Sequence, residues 1–392
     1  MSLSLDKTTW KRVTLKEVVR HVTDRVDAET SGLERFLAGE HIPSGSLSIT
    51  DWGVIGRDPI GPMFYKRFKP GHVLYVSRRT YLRKVAVPQF EGITGEKTFV
   101  LETLDENLLL QEFLPFVLSA ERFHAYAIAH SRGSVNPYLN WGELAAYEFD
   151  LPPLDEQRRL ADLLWAVERH RLTVTDSKVS AAAAADAYFS EMLARHAAEL
   201  VPAPDVIDEM TVGVVVKPTQ YYTNDRSAGV PALRGLNVLP GGFDLTDLVY
   251  FRPESAADLQ KSTLREGDIV VIRTGRPGDA AVVPAEVAGY NCIDLIIVRP
   301  GQHVDSKFVE LFLNSGYGRA QITRRSAGTA QQHFNVGALK KVQIPALSLD
   351  EQRVLVSATT AIQSASDRFA DELDSLRVVR SGMLNNVFGG AG

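Results

Sequence analysis

Short apolar runs bounded by glycine or proline recur along much of the chain. Such runs occupy 72–77, 97–101, 268–273 and 293–299. Alternating or apolar runs of four to eight residues predict β-strands, and glycine or proline at their ends predicts turns. We therefore predict that these parts of the chain form compact, β-rich α+β domains.

Two long segments follow a different pattern, because neither glycine nor proline occurs from 155 to 201 or from 346 to 381. Apolar residues in them repeat every seven positions, at Leu160, Val167, Val174, Ala181 and Tyr188 and again at Ile362, Phe369, Leu376 and Met383. At ~1.5 Å per residue, each helix would reach roughly 50–70 Å. Heptad spacing indicates a helical partner. We predict that the two helices pair as an antiparallel coiled coil, the alternative being two separate core helices.

An internal repeat determines the predicted organisation. The sequence Asp-Glu-Gln-Arg at 155–158 recurs at 350–353, an offset of 195. At the same offset, Ser-Arg-Gly-Ser at 131–134 aligns with Ser-Ala-Gly-Thr at 326–329. A series of matches at one fixed offset indicates a tandem duplication.

Each copy is predicted to contain a β-rich part followed by a helical part. The β-rich parts are 1–150 and 202–345, and the helical parts are 151–201 and 346–392. The sequence Ser-Leu-Asp-Glu at 348–351 is typical of a capping box, and Asp155 is the expected cap of the first helix.

Charge is segregated along the chain although the net charge is −5. The segment 65–84 carries seven lysines and arginines, and 311–349 carries five, and neither contains an acidic residue. Binding to duplex DNA requires only a local positive field, so the negative net charge does not exclude a DNA-binding protein.

Cysteine content and hydropathy indicate a cytoplasmic protein. The single cysteine, Cys292, excludes an internal disulfide and a cysteine-based zinc cluster, as expected in a reducing compartment. The first residues, 1–13, lack the apolar core of a signal peptide, and no apolar run reaches the roughly 20 residues that span a bilayer. We expect no membrane partner.

The order and duplication of several motifs resemble the specificity subunits of Type I restriction-modification systems. These motifs are Ser-x-Gly-Ser/Thr at 131–134 and 326–329, Leu139-Asn140 and Phe334-Asn335, the boundaries 151–158 and 344–353, Gly-Asp-Ile-Val-Val-Ile-Arg-Thr-Gly at 267–275, and the opening Trp10-Lys-Arg-Val-Thr-Leu. The resemblance implies two target-recognition domains, each followed by a long helix and each reading half of a bipartite double-stranded DNA target.

The resemblance also implies the partners. Two methyltransferase subunits are expected to dock on the helices, where Leu160, Val167, Phe369 and Leu376 are the candidate contacts, and restriction (motor-nuclease) subunits are further candidate partners. The chain itself is then not an enzyme and needs no cofactor, since S-adenosylmethionine would be bound by the methyltransferase.

The basic loops supply candidate DNA contacts. Arginine suits guanine and asparagine or glutamine suits adenine in the major groove. The candidates are Arg78, Arg79, Tyr81, Lys84, Ser131, Arg132, Ser134 and Asn136 in the first copy, and Arg273, Thr274, Arg276, Arg324, Arg325, Thr329, Gln331, Gln332 and His333 in the second. Solvated loops with incidental arginines are the alternative.

Catalytic motifs are weaker in this sequence. Asn136-Pro137-Tyr138 is similar to an adenine-methyltransferase motif, but it lacks one proline, and its counterpart in the second copy is Gln331-Gln332-His333. No phosphate-binding loop and no histidine pair with metal-ligand spacing is found. Three alternatives stay open: a specificity module of another methylation or defence system, a scaffold that does not bind DNA, and an enzyme with an unrecognised site.

Overall fold

The structure, a computed structural model, describes residues 5–195, 199–255, 258–326 and 333–389, without the side chains of Arg325 and Ser326. The chain forms two compact units. Unit 1 consists of residues 1–176 with 369–392, and unit 2 consists of residues 177–368. Each unit therefore contains one β-rich part and a portion of each long helix.

Unit 1 contains three sheets and four short helices before its long helix. Its strands are β1 (Lys11–Thr14), β2 (Val19–His21), β3 (Arg35–Leu37), β4 (Gly53–Val54), β5 (Phe64–Phe68), β6 (Val73–Val76), β7 (Val85–Ala86), β8 (Gly92–Gly95), β9 (Thr98–Thr103) and β10 (Glu148–Leu151). Its helices are α1 (Leu15–Val18), α2 (Leu114–Val117), α3 (Glu121–Ala129), α4 (Trp141–Ala145) and the first part of α5 (Leu154–Arg195).

Unit 2 contains the remainder of α5 and a similar order of elements, with twelve strands where unit 1 has ten. Its strands are β11 (Leu200–Pro202), β12 (Ile207–Val212), β13 (Tyr222–Thr223), β14 (Val230–Leu233), β15 (Val238–Leu239), β16 (Gly242–Phe243), β17 (Val249–Phe251), β18 (Ile269–Ile272), β19 (Ala280–Val282), β20 (Asn291–Cys292), β21 (Leu295–Pro300) and β22 (Gln343–Pro345). Its helices are α6 (Ser306–Asn314), α7 (Gly316–Ser326), α8 (Val336–Leu339) and α9 (Leu349–Phe388), the last of which continues into unit 1.

The predicted duplication is visible in the sheet topology. Unit 1 has a four-stranded sheet of order β2-β9-β6-β7, and unit 2 has the matching order β12-β21-β18-β19. The outer pairs β1-β10 and β11-β22 also correspond. All four strands predicted from apolar runs are present, with ends shifted by one or two residues. The α+β fold class is confirmed.

The two long helices pair in opposite directions within each unit. In unit 1, Glu168 lies 3.8 Å from Arg380 and His170 lies 2.8 Å from Glu372. Along this contact the residue numbers of α5 increase while those of α9 decrease, so the helices are antiparallel. In unit 2, the Ser366 hydroxyl donates to the Lys178 carbonyl at 3.4 Å. The predicted antiparallel pairing is confirmed.

The caps of these helices differ from one another. Ser348 and Glu351 form the predicted capping box, in which the Glu351 carboxylate accepts from the Ser348 hydroxyl and amide at 2.7 and 2.8 Å. The expected cap Asp155 is wrong, because α5 already begins at Leu154 and places Asp155 in its first turn. An acidic residue there still interacts favourably with the helix dipole.

A buried glutamine explains why Asp-Glu-Gln-Arg is repeated. Gln157 donates to the carbonyls of Leu108 and Pro152, both at 2.8 Å, and accepts from the Leu110 amide at 2.9 Å. Its side chain is completely buried, whereas Arg158 is exposed. We call this arrangement the glutamine clamp.

Unit 2 contains the same clamp. Gln352 donates to the carbonyls of His303 and Leu347 at 3.1 and 2.8 Å and accepts from the Asp305 amide at 2.8 Å. Each clamp satisfies backbone groups at the start of a long helix and in the loop after a β-strand. The repeated glutamine is therefore a structural residue.

Buried His124 makes the stability of unit 1 dependent on pH. Burial, reinforced by the charges of Arg83 and Arg380, lowers the pKa of His124 from 6.5 to about 4. The unfolded chain therefore takes up a proton at a higher pH than the folded chain, and stability falls as the pH drops from 6.5 towards 4. The expected contribution is about 1.4 kcal/mol per pH unit.

Replacing His124 by glutamine is expected to remove this part of the pH dependence. Urea unfolding at pH 7.5 and pH 5 measures it, and the wild type should lose about 2 kcal/mol more than the variant. His130→Gln is the matched control, since His130 is exposed at the end of the same helix. Equal losses in the wild type and His124→Gln would contradict the prediction.

Candidate nucleic-acid interface

Two loops that are distant in sequence form one surface in unit 1. The loop after β6 and the loop between α3 and α4 are joined where the Leu139 amide donates to the Ser77 carbonyl at 2.9 Å. The hydroxyls of Thr80 and Ser131 are 2.7 Å apart. Arg78 pairs with Tyr138 through a single β-bridge. Candidates from both loops are thus brought together.

Four candidate residues line a single cavity of about 590 Å³ in unit 1: Arg78, Arg79, Lys84 and Asn136. The guanidinium of Arg79 donates to the Asn136 side-chain oxygen at 2.8 Å, and the ammonium of Lys84 donates to the Gly39 carbonyl. Arginine and asparagine are the donors that recognise base edges. This loop surface, including the cavity, is called surface 1.

The backbone of surface 1 is strained at Arg79 and Arg83. Their φ angles are 55° and 54°, in the left-handed region, on either side of a single 3₁₀ turn at Thr80–Leu82. This conformation costs roughly 1–2 kcal/mol for a residue with a Cβ atom. The bidentate pair of Arg83 with Glu121, at 2.6 Å, helps to hold the turn.

The remaining candidates of the first copy lie around this turn. Tyr81 is 51% exposed, and Ser134 is also exposed. Arg132 forms an ion pair with Glu143 on helix α4. That pair holds the Arg132 guanidinium beside α4, and this side chain does not line the cavity of surface 1.

Unit 2 contains the equivalent loop junction, which we call surface 2. The Phe334 amide donates to the Arg273 carbonyl at 2.9 Å, as Leu139 does to Ser77 in unit 1. The Arg273 guanidinium pairs with Asp294 and lies 2.7 Å from the His333 ring nitrogen.

Other candidates of the second copy are partly described. Thr274 is exposed, Arg276 pairs with Asp279 at 3.2 Å, and Arg324 is exposed on α7. Thr329, Gln331, Gln332 and the side chain of Arg325 lie outside the described residues. Their role in DNA binding stays a prediction.

The basic loops are less free of acidic neighbours than the sequence indicated. Arg132, Arg273 and Arg276 each pair with a carboxylate. A DNA contact by these arginines requires the guanidinium to use N–H groups beyond those in the pair, or to exchange partners.

Lys97 was missed by the sequence analysis although it lines the cavity of surface 1. Its ammonium lies 5.2 Å from the centre of the Tyr138 ring. It stands opposite Ser77 across the β6–β9 pair, where the Ser77 amide donates to the Lys97 carbonyl at 2.8 Å. The register between β6 and β9 brings Lys97 to this surface, and that register was not predicted from the sequence.

The candidate partner contacts on the helices are only partly accessible. Leu160 is completely buried in the core of unit 1, and Val167, Phe369 and Leu376 are half-buried. Apolar side chains that are more exposed lie nearby on the same helices, including Val378 (67%) and Val379 (46%).

Metal and membrane sites were also sought within the described ranges. No group of three or more histidine, cysteine, aspartate or glutamate side chains there could hold a metal ion. None of the described helices is long and apolar enough to cross a membrane.

Comparison with known proteins identifies relatives for part of the sequence. Residues 62–179 match the family described as Type I restriction modification DNA specificity domain. The specificity subunit of the Escherichia coli (strain K12) Type I restriction enzyme EcoKI is 25% identical over 188 residues, which cover 46% of this chain and 39% of that protein. The StySPI specificity subunit of Salmonella potsdam is 25% identical over 173 residues, covering 42% and 36%. The chain thus matches about two fifths of the length of these relatives.

Solved structures extend the similarity of the fold to the whole chain. A structure described as the basis of complex assembly and conformational transition of the type I R-M system covers 97% of this chain and 98% of its own, with a TM-score of 0.61 and 20% identity. The Type-I restriction-modification system S subunit from M. genitalium covers 100% and 99%, with a TM-score of 0.58 and 15% identity. The resemblance predicted from the sequence is confirmed: residues 62–179 match the Type I restriction modification DNA specificity domain, and the curated relatives are specificity subunits of Type I restriction enzymes.

Proposed function

We propose that this chain reads a bipartite double-stranded DNA target as the non-catalytic specificity subunit of a Type I restriction-modification complex. Unit 1 reads one half of the target and unit 2 reads the other. One observation carries the proposal: the same junction of two distant loops is built twice, at Leu139–Ser77 and at Phe334–Arg273. A single chain with two equivalent but diverged surfaces is suited to two different half-sites.

The chemistry of the two surfaces supports DNA as the ligand. Surface 1 contains arginine, lysine and asparagine side chains around one cavity, and in unit 2 the side chains of Arg276 and Arg324 are exposed. Phosphate contacts position a protein on the duplex, and donors to base edges supply the specificity. Both kinds of donor are present.

The long helices are proposed to dock two methyltransferase subunits, with restriction subunits as further partners. The family resemblance supports this assignment, and the exposed apolar residues Val378 and Val379 offer contacts that the buried Leu160 does not. S-adenosylmethionine is then bound by the methyltransferase, and this chain needs no cofactor.

Substitution of the loop arginines tests the division into half-sites. The full chain is co-expressed with the methyltransferase subunit of its own host, and methylated positions in the DNA are mapped by sequencing. Arg78→Ala and Arg79→Ala are expected to weaken or relax recognition of the first half-site only, by ~1–3 kcal/mol for a base contact. Arg276→Ala and Arg324→Ala are expected to act on the second.

Arg159→Ala is the control, because this arginine is exposed on α5 and pairs only with Glu156 of the same helix. Its methylation pattern is expected to match the wild type. A change of the second half-site caused by the unit 1 variants would contradict the proposal. So would equal binding of target and random DNA by the wild-type complex.

A further inference from the structure

Unit 1 contains a second cavity, of about 270 Å³, that adjoins surface 1 through Glu96 and Lys97. Three cationic side chains line it, those of Arg25, Lys66 and Lys97, and Glu96 contributes the one carboxylate in its lining. This cavity is called the cationic pocket. Its excess of positive charge needs a physical explanation, since cations repel one another unless an anion lies between them.

Lys66 is the most constrained cation of the pocket. The residue is only 7% exposed, and its ammonium donates to the backbone carbonyls of Glu96 and Thr98 at 2.7 and 3.0 Å. Within the described part of the chain it forms no ion pair, and besides these two carbonyls its ammonium lies 5.6 Å from the centre of the Phe99 ring. Burying a charge without a counter-charge is costly, and buried cations are normally paired.

Other groups of the pocket are also suited to an anion. The Nε2 atom of His21 is buried and has no hydrogen-bond partner among the described residues. Arg25 lies over the ring of Tyr65, 4.7 Å from its centre, and forms no ion pair within the described ranges. Lys97 is paired only loosely, 3.4 Å from the exposed carboxylate of Glu96. Two cations of the pocket, Lys66 and Arg25, thus form no ion pair among the described residues, and the third has only Glu96 as a carboxylate partner.

Unit 2 provides an internal comparison at equivalent positions of the sheet. The register Val76↔Thr98 of unit 1 corresponds to Ile272↔Leu295 of unit 2. The next residues face each other as Ser77 and Lys97 in unit 1, but as Arg273 and Asp294 in unit 2. The cation of unit 2 pairs with the carboxylate that faces it, whereas Lys97 of unit 1 faces a small hydroxyl residue and has only the carboxylate of its sequence neighbour Glu96, at 3.4 Å.

We propose that the cationic pocket of unit 1 binds a phosphate group, supplied by the DNA backbone beside the first half-site. This inference rests on the proposed function for the source of the phosphate, but the pocket itself does not depend on it. Lysine and arginine are the usual ligands of phosphate oxygens. The pocket opens beside surface 1, where a bound duplex would place its backbone. In unit 2 the Arg273–Asp294 ion pair occupies the equivalent positions, so the two units are proposed to contact the DNA backbone differently.

Two variants of equal charge test the pocket. Lys97→Met removes one positive charge, and Ser77→Arg with Lys97→Asp rebuilds the pair of unit 2 while also lowering the net charge by one. Lys16→Met is the control, because Lys16 is exposed and does not line the pocket. The unfolding temperature of each variant in sodium chloride checks that it folds.

The first measurement is the salt dependence of binding to a target duplex by the full chain with its methyltransferase subunit. Each phosphate contact contributes about 0.9 to the slope of log K against log salt. Both pocket variants are expected to lower the slope by about 0.9 relative to Lys16→Met. The second measurement uses inorganic phosphate without DNA, at ionic strength matched by sodium chloride. Phosphate is expected to raise the unfolding temperature of the wild type and Lys16→Met, but not that of the pocket variants.

The outcomes separate the sources of phosphate. A lower slope in the pocket variants assigns the pocket to the DNA backbone, whereas an effect in the second measurement alone assigns it to free phosphate. If neither measurement distinguishes the pocket variants from Lys16→Met, the phosphate site is overturned. Failure of the wild type to prefer its target duplex would contradict the proposed function instead, and the second measurement would still test the pocket.

Discussion

The variant Glu168→Ala is expected to lose about 3–5 kcal/mol of unfolding free energy. Glu168 is completely buried on α5, where its carboxylate accepts from the Leu47 amide at 2.9 Å and from the Ser46 hydroxyl at 3.1 Å. It also pairs with Arg171 at 2.9 Å and lies 3.8 Å from Arg380. Removal of the carboxylate leaves two largely buried guanidinium groups without their counter-charge.

The pKa of Glu168 gives this prediction a pH signature. Burial raises the pKa, but the hydrogen bonds and charges of Arg171, the Leu47 amide and Arg380 lower it below its ordinary value of 4.5. The stabilisation is therefore present above the unfolded pKa and is lost as the pH falls through the lower folded pKa. The unfolding free energy of the wild type should therefore decrease under acidic conditions by the contribution of Glu168. Glu168→Ala lacks this carboxylate and should not show that decrease.

Chemical denaturation at neutral pH measures the effect, with Asp374→Ala as the control. Asp374 pairs with Arg377 at 3.3 Å on the same pair of helices, but both side chains are at least 75% exposed. Exposed pairs contribute 0–1 kcal/mol, so the control should remain close to the wild type. A loss in Glu168→Ala no larger than in Asp374→Ala would refute the buried network as a source of stability.

Alanine substitution of either clamp glutamine is expected to cost roughly 3 kcal/mol, because an unsatisfied buried polar group costs about 1–3 kcal/mol and each clamp satisfies three. The expected loss is smaller than the sum of three such penalties, because water can partly reach the backbone groups that lose the glutamine. Gln157→Ala and Gln352→Ala should have similar effects, since their hydrogen bonds correspond one to one.

Amide hydrogen exchange locates the loss within the molecule. The Leu110 amide should exchange faster in Gln157→Ala, and the Asp305 amide should exchange faster in Gln352→Ala, because each donates to the glutamine that is removed. Arg158→Ala and Arg353→Ala are matched controls from the same tetrapeptides, and both arginines are exposed. Surface substitutions of this kind stay within about 0.5 kcal/mol. Unchanged exchange at both amides would show that the clamps contribute nothing.

Features that depend on local periodicity were predictable from the sequence. The long helices, the apolar strands and the duplication follow from spacings that can be read along the chain, and the structure contains all of them. The capping box at Ser348 is also local. The expected cap Asp155 was wrong by two positions, because proline-rich boundaries leave the first helical residue undefined.

Features that join distant segments were not predictable in the same way. The sequence marked Arg273 as a basic loop residue, but its partner Asp294 follows from strand register, 21 residues away. Glu168 resembles any polar position of a long helix, and only the approach of Ser46 and Arg380 makes it a buried charge. Gln157 was recognised as part of a repeat, whereas its role depends on the backbone of Leu108 and Leu110. Long-range contacts determine which polar residues are structural.

Unit 1 is formed by two separate segments of the sequence, and this affects the order in which the two units can fold during translation. Unit 2 is continuous, from 177 to 368, whereas unit 1 needs residues from 369 onwards. Phe388 packs 5.5 Å from Phe113 between ring centres, and Lys7 donates to the Val387 carbonyl at 2.8 Å. Domains usually mature in the order of their synthesis. Here most of unit 1 is translated first, but its core is completed only when the last turns of α9 are synthesised. Until then its apolar surface stays exposed, whereas unit 2 can already be folded.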